Sequence, residues 1–121
     1  MADVFYLKKG DNYPYIFTQL SDENGPVNLT GATVTFRCSE PSSGNLMIEG
    51  LATIIGQGDP QNWGKCYYAW QPGDSDTVAI MKAEWRVVFP GNLQATFPRG
   101  VAPETRPEGI YNTVVIQEPV D

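Results

Sequence analysis

Two acids, Asp74 and Asp76, stand closest to a chemical arrangement in this chain, because the run Gln71-Pro72-Gly73-Asp74-Ser75-Asp76 holds them two positions apart. Paired carboxylates serve glycosidases as acid and base, and hard cations such as Ca²⁺ take oxygen ligands of this kind. The same pattern is also turn chemistry, in which aspartate accepts hydrogen bonds from neighbouring backbone N–H groups, and that reading is the stronger one. The sequence contains no histidine, which removes Ser-His-Asp and Cys-His nucleophile systems and the commonest metal ligand. Cys38 and Cys66, 28 positions apart and without histidine, do not make a zinc site. Gly56-Gln57-Gly58 lacks the third glycine and the following helix of a dinucleotide site, and no glycine-rich loop runs into Lys-Ser or Lys-Thr. The expectation is a protein that is not an enzyme, with no catalytic residue, metal or cofactor.

Binding chemistry is better represented. Trp63 sits among Gln61, Asn62 and Gly64, where it either offers an exposed ring to a partner or folds back as a lid on the core. Tyr67 and Tyr111 alternate with inward-facing neighbours and are surface candidates. Arg99 and Arg106 lie in the Pro- and charge-rich stretch from Pro98 to Pro107. That stretch and the first strand are the parts expected to reach a partner, by loop insertion or strand addition. The candidate partner-binding residues are therefore Trp63, Tyr67, Arg99, Arg106 and Tyr111.

These side chains need a scaffold, and 121 residues with 41% hydrophobic content supply one domain with a core of its own, about residues 4 to 117. A net charge of −6 with acids scattered from Asp3 to Asp121 argues against nucleic acid and anionic membranes, which attract clustered Lys and Arg. The opening Met-Ala-Asp-Val-Phe-Tyr-Leu-Lys-Lys has no basic start followed by a long apolar stretch, so cytosolic synthesis and a soluble product are expected. Reduced, buried cysteines follow from that setting. Asn28-Leu29-Thr30 matches a glycosylation sequon, but without a secretory route the match carries nothing.

Period-two alternation runs through the chain. Val34, Phe36 and Cys38 alternate with Thr33, Thr35 and Arg37, and Trp85, Val87 and Phe89 alternate with Glu84 and Arg86, the pattern of half-buried antiparallel strands. Further strands are expected at Val4 to Lys9, Tyr15 to Leu20, Leu46 to Ile55 with a break at Gly50, Leu93 to Phe97, and Ile110 to Gln117. The runs Cys66 to Trp70 and Val78 to Phe89 should pair, as a hairpin or, since the polar break between them is long, as a crossover between sheets. Residues Gly56 to Asn62 read as a mobile loop, and Gly31 as a position of special backbone shape. Short strands punctuated by Gly and Pro, with no sustained helical spacing, indicate an all-β antiparallel sandwich.

The order of local signals carries a resemblance. Lys9-Gly10-Asp11 is followed by Asn28-Leu29-Thr30-Gly31-Ala32-Thr33-Val34-Thr35-Phe36, Tyr68-Ala69-Trp70, Gly73-Asp74-Ser75-Asp76-Thr77, Ala83-Glu84-Trp85 and Thr96-Phe97-Pro98. This series resembles the N-terminal domain of phage baseplate upper proteins, an immunoglobulin-like β-sandwich module of tailed-phage virions, from Val4 to Gln117. The resemblance implies a virion structural or assembly protein of tail, baseplate or capsid, made in the host cytoplasm and contacting other virion proteins and copies of itself. The alternative from a different class is a carbohydrate-binding β-sandwich that recognises a host-surface glycan through Trp63 and neighbouring aromatics.

Overall fold

The computed structural model describes residues 4–22, 25–97 and 113–119. In chain order its strands are β1 (Val4–Lys8), β2 (Ile16–Gln19), β3 (Ser21–Asp22), β4 (Gly25–Pro26), β5 (Thr33–Ser39), β6 (Leu46–Leu51), β7 (Thr53–Ile54), β8 (Lys65–Tyr68), β9 (Ala79–Phe89), β10 (Leu93–Phe97) and β11 (Thr113–Gln117). A short 3-10 turn, Pro60–Asn62, is the one helical element among the described residues. The larger sheet runs β1-β11-β9-β5-β6, with β10 also on β9; the smaller runs β2-β8-β7, and β3 and β4 form a two-residue ladder. The chain is an all-β sandwich.

Alternation decides which side of each strand is buried. Val34, Phe36 and Cys38 of β5, Met81, Ala83, Trp85 and Val87 of β9, and Val114 and Ile116 of β11 turn inward from the larger sheet. Ile16, Cys66 and Tyr68 meet them from the smaller sheet, with Leu20, Leu29 and Trp70 closing the ends. Phe36 joins the layers, its ring 4.6 Å from Trp85, 4.9 Å from Tyr68 and 5.8 Å from Trp70. Fully burying aromatics of this size contributes about 2–3 kcal/mol each, so this cluster anchors the interior. Trp70 also donates its indole N–H to the Pro14 carbonyl at 2.9 Å, fixing the entry to β2 just after the cis Tyr13-Pro14 bond.

Several expectations are corrected by the tertiary arrangement. The runs flanking residues 71–78 do not pair as a hairpin and take the other alternative, the crossover: β8 belongs to the smaller sheet and β9 to the larger, so the chain passes between layers there. Each strand has one apolar face, and facing each other across the core buries both. The sandwich is not purely antiparallel either, because β1 lies parallel to β11, with Phe5 opposite Val114 and Leu7 opposite Ile116. The break in residues 46–55 falls at Ala52 and not at Gly50: β6 ends there and β7 continues in the other sheet, while Ala52 N–H still bonds the Val34 carbonyl at 2.8 Å. Gly50 stays in register opposite Phe36. It is glycine for space, since a Cβ would come within 2.7 Å of the Tyr68 ring. Gly31 takes the expected left-handed shape, with φ 75°. The first part of the expected last strand, including Ile110, lies outside the described residues.

The stretch read as a mobile loop, residues 56–62, is instead tied down by one side chain. Gln57 is buried, and its Oε1 accepts from the N–H groups of Leu29 at 2.9 Å and Gly64 at 3.1 Å. Its Nε2 donates to the carbonyls of Asn62, at 2.7 Å, and Ile55. All four hydrogen-bonding positions of the amide are used.

Candidate binding surface

Strand β2 buries Ile16 and Thr18, so Tyr15, Phe17 and Gln19 stand on the outer side of the smaller sheet. Strand β8 buries Cys66 and Tyr68, which turns Lys65 and Tyr67 to the same side. The register places Phe17 beside Tyr67 and Thr53 beyond it. Four rings meet as a result. Tyr15 stacks on Tyr67 with centroids 5.7 Å apart and planes 3° from parallel, Phe17 lies 5.0 Å from Tyr67, and Tyr13 meets Tyr15 edge-on at 6.0 Å. Tyr13 is 74% exposed, Phe17 52% and Tyr15 38%.

Outward positions of a solvated antiparallel sheet are ordinarily polar. A contiguous aromatic ridge there has the composition of contact surfaces, in which aromatic residues are enriched and charged residues depleted. None of β2, β7 or β8 contains an acidic residue, although the chain has 14. The outer face of the larger sheet is mixed: Arg37 lies between Glu49 at 3.3 Å and Glu84 at 3.6 Å, and Tyr6, Val115 and Ile80 stand in a row across β1, β11 and β9.

The residues named from sequence are placed unevenly. Tyr67 is at the centre of the ridge, half-buried by its neighbours. Trp63 is also half-buried, but its indole N–H donates to the Gln57 carbonyl at 3.0 Å, so the ring folds back over residues 57–62. Its carbonyl accepts from Gln19 Nε2 at 3.1 Å, which ties the loop to β2. Arg99, Arg106 and Tyr111 lie outside the described residues. Tyr13, Tyr15 and Phe17 join Tyr67 in the ridge without being among the candidates that the sequence offers. Their signal was present in the apolar residues on both sides of a strand that opens at Pro14, a proline entry typical of an edge.

Asp74 acts as a clip. Its Oδ2 accepts from the Tyr68 hydroxyl at 2.6 Å and the Gln71 N–H at 2.8 Å, closing the crossover between layers. Asp76 is exposed, and Ser75 between them is buried, its hydroxyl donating to the Asp11 carbonyl at 2.6 Å. Among the described residues no group of three His, Cys, Asp or Glu is placed to hold a metal ion. Cys38 and Cys66 are free thiols in the core. Burial pushes Cys66 up to about 12, and burial together with the Asp74 charge raises Cys38 further. Neither presents the thiolate that nucleophilic chemistry needs. The Tyr68 hydroxyl is likewise raised, by burial first and then by its hydrogen bond to Asp74. A shallow depression of about 280 Å³ between residues 29–32 and 54–58 is walled by backbone and aliphatic groups, and the Gln57 amide beside it is already fully bonded.

Set against known proteins, the chain matches no family model, no curated protein and no solved structure.

Proposed function

We propose that this chain is a structural and assembly protein of a tailed-phage virion, working through its outer surfaces and not through a reactive centre. The observation that carries the reading is the ridge of Tyr13, Tyr15, Phe17 and Tyr67 on the outer face of the β2-β8-β7 sheet, four rings held on a hydrogen-bonded scaffold where a solvated sheet ordinarily carries polar groups. The virion setting is supported by the ordered series from Lys9 to Pro98 that resembles the N-terminal domain of phage baseplate upper proteins. On this reading the protein is made in the host cytoplasm, joins the particle at tail, baseplate or capsid, and meets neighbouring virion proteins and its own copies, as the symmetry of such particles requires. Mass spectrometry of purified virions tests it. Recovery of the chain at a fixed stoichiometry is the expected outcome, and its absence from the particle ends the proposal.

A second reading, a carbohydrate-binding module for a host-surface glycan, draws on the same concentration of aromatic side chains. It expects glycan-array binding that Tyr67→Ala or Trp63→Ala abolishes while the fold persists. A wild-type protein that binds no glycan removes it.

A further inference from the structure

We infer that copies of this chain join head to tail through the larger sheet, the open edge of β6 in one copy pairing antiparallel with the open edge of β1 in the next. The inference rests on the assembly reading and names a second copy as the partner, at the sheet edges and not at the aromatic ridge.

Strands β1 and β6 lie at the two ends of the larger sheet. An edge strand carries a row of unpaired N–H and C=O groups, so the occupant it selects is another extended strand. Backbone hydrogen bonds show which groups these are. Ala52 N–H bonds the Val34 carbonyl at 2.8 Å, and with the β5-β6 register this turns the backbone groups of Ile48 and Gly50 toward β5 and those of Glu49 and Leu51 to the open side. On β1, Lys9 N–H bonds the Gln117 carbonyl at 2.7 Å, so Leu7 also faces β11, while Tyr6 and Lys8 face away from it. Side chains follow the same alternation. Glu49, Leu51, Tyr6 and Lys8 lie on the outer face, and Ile48 and Leu7 are buried.

The two edges match in direction and in side chains. β1 is parallel to β11, and β11, β9, β5 and β6 are successively antiparallel, so β1 and β6 run in opposite senses. A second copy set beside the first in the same orientation therefore brings its β1 antiparallel to β6. Pairing Lys8 with Glu49 then sets Leu7 opposite Gly50 and Tyr6 opposite Leu51. Outward backbone groups meet outward ones, a base meets an acid, and two exposed apolar side chains, Tyr6 at 58% and Leu51 at 72%, cover each other. Tyr6 already ends a row with Val115 and Ile80, and the next copy's Leu51 extends it. Sliding by two positions loses the match: it sets Lys8 against Leu51, or carries it to Met47, where the β5-β6 register breaks.

Charge decides between this pairing and the two-fold ones. β6 against β6 joins two strands whose one charge is Glu49, and β1 against β1 joins two whose one charge is Lys8, whereas β6 against β1 joins opposite charges. Arg37 Nε reaches Glu49 Oε2 at 3.3 Å, and the carboxylate stays half exposed to a second base. Lys8 has no ion pair among the described residues. β6 also contains neither lysine nor proline, the residues that commonly guard an edge. A ladder this short is weak between free copies and effective where a particle holds them side by side.

The test is sedimentation velocity and light scattering of the full chain up to about 1 mM, the range of weak contacts. Head-to-tail contacts add copies until a ring closes or without limit, whereas a two-fold contact stops at the dimer. The expected wild-type mass therefore climbs past the dimer as concentration rises. Lys8→Glu and Glu49→Lys, at exposed positions, keep the wild-type circular-dichroism spectrum, and each raises the dissociation constant about tenfold or more. An equimolar mixture of the two restores association, because in alternating rows every β1 meets a β6 of opposite charge. Leu51→Asp weakens association in the same way, and Phe17→Ser, on the smaller sheet, leaves it unchanged. A wild type monomeric at about 1 mM, a mass that levels off at the dimer, a mixture no better than its components, or a loss confined to Phe17→Ser overturns the inference. A chain present in virions but monomeric defeats only the edge pairing. Growth that the mixture restores, in a chain absent from virions, supports the edge pairing and defeats the assembly reading.

Discussion

Gln57 shows how much one side chain decides at the scale of the residue. Its amide satisfies the N–H groups of Leu29 and Gly64 and two carbonyls of its own loop, all in a site that water does not reach freely. Gln57→Leu keeps the volume but strands two buried donors, and the expected loss is roughly 3 kcal/mol of unfolding free energy, read from denaturant midpoints. A loss below about 0.5 kcal/mol, the level of an ordinary surface substitution, contradicts that account. The two thiols give a pH dependence of definite sign. Cys38 and Cys66 hold their protons in the folded state above the ordinary value of 9.0, so above about pH 9 the folded chain binds more protons than the unfolded one. Stability from this source is complete below that pH and is lost as pH rises. Thermal melts between about pH 8 and about pH 10.5 should show a falling midpoint, and Cys66→Ala should make the fall shallower.

At the scale of the element, the junction of β2 and β8 depends on a close backbone approach. Leu20 N–H bonds the Gly64 carbonyl at 2.8 Å, and a Cβ on Gly64 would lie 2.3 Å from the Leu20 carbonyl oxygen, with φ at 80° besides. Neither neighbour can yield without opening the sheet. Gly64→Ala is expected to cost about 3 kcal/mol or more, combining backbone strain with a lost hydrogen bond. Gly58→Ala, in the same loop but with nothing within 4 Å of the added carbon, should be close to neutral. Equal effects at the two positions would rule out the close approach as the cause. The long strand β9 organises the larger sheet in a similar way: β5 covers one side of it, while β11 and then β10 share the other.

For the whole molecule, the two layers divide the work. The larger sheet turns out the half-exposed ion pairs of Arg37 with Glu49 and Glu84, which add little to stability in contact with water, together with the apolar side chains of Tyr6 and Ile80. The smaller sheet turns out its rings. If copies associate, as the assembly reading expects, against a net charge of −6, screening favours the association. Raising sodium chloride from about 20 mM to about 500 mM, which shortens the Debye length several-fold, should therefore tighten self-association. Weakening with salt would instead point to a contact held mainly by opposite charges.

Alternation in the chain was enough to establish an all-β sandwich and most of its core: Val34, Phe36 and Cys38, Trp70, Trp85 and Val87, and Val114 and Ile116 are inward as their spacing requires. A two-residue period specifies faces locally, without reference to partners. Partners are another matter. That β8 crosses away from β9, that β1 runs parallel to β11, and that Gly50 yields room to Tyr68 depend on contacts between residues far apart in sequence. The ridge belongs to the same class: Tyr13, Tyr15 and Phe17 become a surface with Tyr67 only because β2 and β8, nearly fifty residues apart, are brought into register. Local pattern says which way a side chain points; only the closed fold says what stands beside it.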